Sequence, residues 1–172
     1  MRPSWDSHFI RLAKEVASMG TCARRQVGCL LVDDRHVILA TGLNGVPPGW
    51  EHCRNNPGFE CSGARSASGT NLDNCLATHA EQNALIFCPD VTKIKTVYVT
   101  CSPCISCVKM LLCTNATRVV FEEPYSHFGA EDLWTRYSLH RVVNSVLFSG
   151  HRTWEQFQPD GSTKILGSSG LR

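Results

Sequence analysis

An α/β sandwich with some parallel strand pairing is what this 172-residue chain encodes. Three features carry that reading. Short apolar runs alternate with segments of helical period, the pattern of strands joined by helical crossovers. Two of the runs, VGCLLV and VILATG, are separated only by the turn DDRH and read as a paired couple. Two others, TVYVT and RVVFEE, are separated by the helical stretch CISCVKMLLC.

Taken in order, Ser4 caps a first helix in which Trp5, Phe9, Leu12, Val16 and Met19 share one face. TCARRQ breaks that period and leads into VGCLLV, a short buried strand. From Gly42 to Thr78 the chain is rich in Gly, Pro, Asn and Ser and has no sustained period. A stretch that long inside a compact domain needs a function or a pin. HAEQNALIF restarts helical spacing, with Ala80, Ala84, Leu85 and Phe87 available for one side. After RVVFEE a helical pattern runs through AEDLWTRYSLHRVV. The tail places the turn PDGS between two short strands, Thr153–Phe157 and Thr163–Leu166.

Composition narrows the function classes. The chain is 42% hydrophobic and 19% charged, ordinary for one soluble domain, and its net charge is only +2. That is far from the basic footprint of a dedicated nucleic-acid binder, so a small-molecule partner is expected. The longest apolar run, ALIFC, is too short to span a bilayer, and MRPSWDSHF lacks the apolar stretch of a signal peptide. A cytoplasmic protein is expected, in the host cytoplasm if the source is viral. In a reducing compartment its ten cysteines point to metals rather than disulfides.

The stretch CSPCISC spaces three cysteines three residues apart, and a metal pair needs two of them. Cys104 and Cys107 open a helix, so both sulfurs fall on its first turn, where free backbone N–H groups and the helix dipole favour thiolate. His79 opens another helix, and Glu81 follows two residues on. One His and two Cys leave the fourth position of a tetrahedral zinc open, the requirement for a catalytic rather than structural metal. Zinc lowers the pKa of bound water to about 7, and a neighbouring carboxylate outside the ligand set can then carry protons. Glu81 fits that part. It would take the proton from the water, give it to a ring nitrogen and later protonate leaving ammonia. A lone C-x-x-C is as often structural or redox-active, and an iron–sulfur reading fails because Cys113 comes too late to complete the run. The joint pattern H-x-E…P-C-x-x-C is that of zinc nucleobase deaminases. Cys101 is then a buried thiol at a strand end.

On these residues the chain resembles the deoxycytidylate (dCMP) deaminases of bacteria and phages, within the cytidine deaminase superfamily. The matching pieces are SWDSHFIRLAKEVA, TCARRQVG, GLNGVPPG, HC at His52–Cys53, HAEQNA and SPCISC. They stand in the family's order and cover roughly the first 125 residues, as one deaminase domain with a divergent part from about 126 to 172. The resemblance implies a three-layer α-β-α sandwich around a mixed five-stranded sheet. It also implies hydrolytic deamination of dCMP to dUMP and ammonia, feeding thymidylate synthesis, in a homo-oligomer that is commonly a hexamer. Members are commonly activated by dCTP and inhibited by dTTP, with Mg2+ accompanying the nucleotide.

Site residues follow from the same comparison and from chemistry. Asn44 lies just after a strand, and its family counterpart contacts the sugar; Asn-Gly is also a common turn dipeptide. Arg24 and Arg25 each offer a bidentate guanidinium for a phosphate, and the sequence does not choose between them. Tyr125 is a candidate for the pocket wall, and the backbone around Ser102 for holding the base. Relatives carry a second, structural zinc at positions that here hold Cys22, Cys53, Cys61 and Cys75, with His52 as an alternative ligand. Such a clip would order the irregular stretch. The family's Gly-Tyr-Asn-Gly reads GLNG here, so Leu43 removes the ring that would stack on a regulatory nucleotide. Ala77 stands where several bacterial members have arginine. His127, His140 and His151 have no metal-ligand spacing.

Rival functions are deamination of another free nucleotide (dCTP or a 5-modified dCMP), polynucleotide base deamination, and a non-catalytic zinc module. A polynucleotide editor needs a cationic track, and the tail after Gly150 has only Arg152, Lys164 and Arg172. A structural zinc would be closed by four protein ligands.

Overall fold

The computed structural model describes residues 2–54, 58, 61, 63–67, 70–71, 74–125, 129–136, 139–143 and 146–169, with the backbone alone at 139–143 and 146–149. Helix α1 spans Trp5–Ser18, strands β1 and β2 span Gly28–Val32 and Ile38–Leu43, and helix α2 spans Ala80–Ile86. Strand β3 (Thr96–Cys101), helix α3 (Ile105–Leu111) and strand β4 (Arg118–Glu123) follow, then helix α4 (Ala130–Thr135). Strands β5 (Leu139–Val143), β6 (Val146–Gly150), β7 (Thr153–Phe157) and β8 (Thr163–Ser168) complete the chain.

The main sheet has the order β2-β1-β3-β4-β7-β8, six strands where five were expected. The α/β sandwich itself is as expected. Strands β1 and β2 are antiparallel, β3 and β4 parallel, and β4 and β7 parallel, so the sheet is mixed. The sixth strand is the β8 return after PDGS, whose turn is closed by Gly161 at φ 87°. Strand β3 is buried at all six residues, as a strand covered on both faces must be.

Two clusters cover those faces. Phe9, Ile10 and Ala13 of α1 pack on Leu30, Val32, Tyr98 and Val120. The opposite face gathers α2, α3 and α4 over Cys29, Leu31, Val97, Val99, Val119, Phe121 and Trp154. The Ser4 hydroxyl accepts from Ser7 N at 3.1 Å, the expected cap. The buried stripe of α1 differs from the large-residue stripe expected: Phe9, Ile10, Ala13 and Ala17 are buried, whereas Trp5 and Met19 are exposed. The reason lies across the interface. A Cβ on Gly28 would stand 2.0 Å from Ala13 O and 2.6 Å from Ala17 N, so small residues let the helix close on the strand. Helix α2 behaves alike, with Ala80 and Ala84 buried against Gly42 while Phe87 is exposed.

The helical pattern expected through AEDLWTRYSLHRVV ends at Thr135. Leu139–Val143 instead pairs with Val146–Gly150 as a separate two-stranded ribbon. Val143 pairs with Val146 and Val142 with Leu147, and the three β-branched residues favour strand there over helix. His127 and the side chain of His140 lie outside the described residues, and His151 Nδ1 is 2.8 Å from Ser169 O.

Between β2 and α2 the chain makes its long irregular excursion, and its two ends are tied. Gly45 N donates to Thr78 O at 3.2 Å and Thr78 N to Gly45 O at 2.9 Å.

Candidate active site

His79 is the N-cap of α2, and Cys104 the N-cap of α3. Gln82 Oε1 accepts from His79 N at 2.9 Å, and Asn83 Nδ2 donates to Leu43 O at 2.6 Å, so α2 is held against the end of β2. Cys104 follows directly on the turn after β3 and is buried, as is Cys107. The two helix openings meet. His79 Nδ1 lies 3.5 Å from Cys104 Sγ and 3.4 Å from Cys107 Sγ, and the three ligand atoms lie within 4.8 Å of one another. Imidazole nitrogen and thiolate sulfur on one tetrahedral zinc, at about 2.05 and 2.3 Å, stand about 3.6 Å apart. The residues present therefore fit zinc. Cys101 is outside this group.

Electrostatics prepare the pair. The Cys104 sulfur is held down to about 3, chiefly by the Cys107 S–H, with His79 and the Cys107 backbone N–H adding to it against the cost of burial. Cys107 is correspondingly pushed up, first by Cys104 and then by burial. One thiolate is thus ready beneath a helix N-terminus. Contact with Cys104 pushes His79 up, with burial opposing. Glu81 is 4% exposed, and burial pushes its carboxyl up. Its side chain reaches Cys107 but stays outside the three-ligand group.

His79, Cys104 and Glu81 border a cavity of about 240 Å³, together with Arg24, Arg25, Asn44, Ser102 and Tyr125. A three-ligand metal set with both sulfurs buried and a buried carboxylate beside it, open to a small-molecule cavity, is the arrangement of a hydrolytic zinc centre. A family model described as the cytidine and deoxycytidylate deaminase zinc-binding region matches residues 3–123.

The chain belongs to that family.

Relatives agree. The deoxycytidylate deaminase of Saccharomyces cerevisiae is 39% identical over 127 residues, covering 73% of this chain and 39% of the relative. The deoxycytidylate deaminase of Mycobacterium phage D29 is 38% identical over 124 residues, covering 70% of this chain and 95% of the relative. The chain spans 39% of the length of the two yeast relatives it matches. Among solved structures, the dCMP deaminase of cyanophage S-TIM5 in complex with dCMP and dUMP superposes with a TM-score of 0.57 at 26% identity, covering 77% of this chain and 91% of that one.

The remaining residues singled out in this deaminase-family domain gather unevenly. Asn44 is buried, its Oδ1 accepting from Val27 N at 2.7 Å and its Nδ2 donating to Arg25 O at 2.6 Å. An amide carries two donors and two acceptor lone pairs, so each end keeps one for a ligand. Arg24 spends its guanidinium on the irregular segment, donating to Ala67 O at 2.6 Å and Thr70 O at 3.2 Å. Arg25 instead reaches Cys101, Glu123 and the Tyr125 ring. Ser102 Oγ accepts from Tyr125 N at 2.7 Å, closing the wall between the ends of β3 and β4.

Cys22, Cys53, Cys61 and Cys75 are neighbours but do not form a ligand group as compact as the first; among the described residues that group is His79, Cys104 and Cys107 alone. Cys61 hydrogen-bonds with both Cys53 and Cys75, and Cys22 is near enough to interact electrostatically with Cys53 and Cys75. Burial pushes Cys75 up to about 11, whereas the backbone N–H groups of Leu76 and Gly63 and the Cys53 thiol outweigh burial at Cys61 and hold it down. His52 is exposed. Cys22 and Cys75 border the same cavity as the metal set.

Sequence reasoning missed Gln82, Cys101 as a partner of Arg25, and Ala64 and Ser66 on the cavity wall. Gln82 was legible as the third residue after a cap. Nothing in the spacing of the irregular segment marked the other wall residues.

Proposed function

We propose that this chain catalyses zinc-dependent hydrolytic deamination of dCMP to dUMP and ammonia, supplying dUMP for thymidylate synthesis. The observation that carries this reading is the three-ligand set His79, Cys104 and Cys107 with buried Glu81 beside it and outside it. Zinc held there supplies Lewis acidity and lowers the pKa of water to about 7, which makes a strong nucleophile available at neutral pH. Glu81 would accept one proton of the attacking water and give it to the cytosine ring nitrogen, then take the second from the hydroxyl left on the ring carbon and give it to the amino group, which departs as ammonia. Burial pushes the Glu81 carboxyl up, which makes the ionised form a stronger acceptor for the first of those protons. Asn44 offers its remaining amide donor and acceptor to the sugar, and the Ser102 turn borders the base. Arg25 takes the phosphate, because Arg24 already spends two donors on backbone carbonyls. Tyr125 lines the same side. The phage relative named deoxycytidylate deaminase, matched over 95% of its length, supports the monophosphate as substrate.

A second zinc on Cys22, Cys53, Cys61 and Cys75 would tie down the irregular segment. Two zinc ions per chain, falling to one in Cys61→Ser, is the expected metal analysis. The assembly is a homo-oligomer, a hexamer by family habit. Regulation by dCTP or dTTP with Mg2+ lacks a stacking ring at Leu43. dCTP and 5-modified dCMP remain the second reading, since both carry an α-phosphate for Arg25.

Loss of cytosine absorbance should be followed with zinc-loaded protein on dCMP, dCTP, deoxycytidine and a single-stranded oligonucleotide. Turnover of dCMP far above the others is expected. Equal turnover of dCTP would replace the monophosphate reading with a broader nucleotide one, and no turnover on all four would overturn the dCMP reading and leave a 5-modified nucleotide or a non-catalytic zinc module.

A further inference from the structure

Arg25 leaves the loop before β1 and borders the cavity, where three partners compete to hold it. Its Nη1 donates to Cys101 Sγ at 2.6 Å and lies 3.7 Å from Glu123 Oε2. Its guanidinium carbon is 5.7 Å from the centroid of the Tyr125 ring. The Glu123 side chain is 68% exposed, so solvent screens that pair and it holds little. The Tyr125 contact is near the outer reach, about 6 Å, of a cation over a ring. Cys101 differs from both. It is buried, it ends β3, and its backbone is fixed opposite Glu123 in the parallel pairing with β4.

Resting on the monophosphate reading above, we propose that Cys101 is a positioning residue for the nucleotide phosphate: its sulfur fixes one edge of Arg25 and leaves the other N–H groups for the ligand. A guanidinium has five N–H donors, so one spent on sulfur still allows a bidentate grip on phosphate oxygens. The identity of the acceptor matters. A carboxylate at this position would neutralise Arg25 and repel the phosphate, whereas a neutral thiol orients the cation and leaves its charge intact. Burial pushes the Cys101 thiol up, against the pull of Arg25, which keeps it in that neutral form. The metal set is untouched, because Cys101 lies outside it.

The test measures binding and turnover together in Cys101→Val, Cys101→Ser, Arg25→Ala and the double variant Arg25→Ala/Cys101→Val, with zinc content checked in each. For Cys101→Val, KM for dCMP and Kd for dUMP by calorimetry should rise about tenfold, the scale of one oriented hydrogen bond to a charged group, while kcat holds. The loss should be confined to phosphate-bearing ligands, so kcat/KM for deoxycytidine holds as well. Cys101→Ser, whose hydroxyl also accepts, should restore most of the affinity. In the Arg25→Ala background the Cys101→Val change should add nothing, since both act on one interaction. Unchanged dUMP affinity in Cys101→Val overturns the proposal, as does an equal loss for deoxycytidine or a full further loss in the double variant. Protein that binds dUMP with this pattern but turns over no dCMP would sink the catalytic reading and leave the positioning role standing. Wild-type protein that binds no nucleotide would overturn both.

Discussion

His79 Nδ1 and Cys107 Sγ stand 3.4 Å apart although 28 residues separate them in the chain. They join the first turns of α2 and α3, two helices that have no covalent connection nearby. A metal bound between them therefore clamps both helices onto the sheet. Cys107→Ser should lose zinc at least as readily as the 10–100-fold weakening that even outer-shell changes cause. Metal analysis after dialysis against a chelator checks this, and retention of the full complement in the variant would remove Cys107 from the ligand set.

Glu81→Gln separates chemistry from assembly. The amide keeps the size of the side chain and cannot carry the proton. Zinc content and dUMP affinity should persist, and kcat on dCMP should fall at least about 100-fold. A variant that kept normal turnover would show that the carboxylate is incidental.

Far from the cavity, Arg118 ties three elements together. It donates to Asp6 Oδ1 at 2.7 Å on α1 and to Glu155 Oε2 at 2.6 Å on β7, from its own place on β4. Burial pushes both carboxyls up, but the Arg118 hydrogen bonds outweigh it and hold each below the usual carboxylate range; the Tyr98 hydroxyl adds to this at Asp6, and that of Thr153 at Glu155. Depressed folded values mean that the unfolded chain binds protons first as pH falls. The stabilisation is complete above the ordinary carboxylate pKa of about 4 and is lost as pH drops through the lower folded values. Arg118→Met should cost roughly 2–3 kcal/mol at pH 7, less than a fully buried pair because the arginine stays partly exposed. Urea melts of wild type and variant between pH 5 and pH 3 should show the difference shrinking with acid. Taking the difference cancels acid release of metal, and a gap that does not shrink would show that Arg118 does not hold these carboxyls down.

Gly28→Ala tests the closeness of α1 to the sheet. The added methyl would stand 2.0 Å from the Ala13 carbonyl oxygen, a backbone atom that cannot swing aside. A loss of about 3 kcal/mol or more is expected in thermal or denaturant unfolding, at the upper end of overpacking costs. A near-neutral result would mean that the helix can ride outward freely.

Much of this was legible in the chain because the chemistry sits on short, strongly spaced segments. His79, Glu81, Cys104 and Cys107 announce themselves through two helix openings, and the strands beside them have apolar centres, VYV in β3 and VVF in β4. The buried stripes of α1 and α2 were misjudged because close approach, not bulk, decides them. Ala13, Ala17 and Gly28 carry little hydrophobic signal individually and only make sense as facing partners. The end of α4 at Thr135 was hidden because Leu139–Val143 fits either period until its partner strand is known. The roles of Arg24 and Arg25 could not be divided from adjacent identical letters. Their side chains diverge only once the irregular segment supplies carbonyls to one and β3 supplies a sulfur to the other.

The paired hydrogen bonds between Gly45 and Thr78 make the excursion between them a cassette with a closed neck. The neck sets the end of β2 beside the residue just before His79. Ala64, Ser66 and Cys75, by contrast, travel with the insert and shape the cavity. The metal set and part of the cavity wall therefore sit on separate segments of the chain. Exchanging residues 46–77 between members of this family would therefore alter one wall of the cavity while Gly45 and Thr78, which close the neck, stay in place.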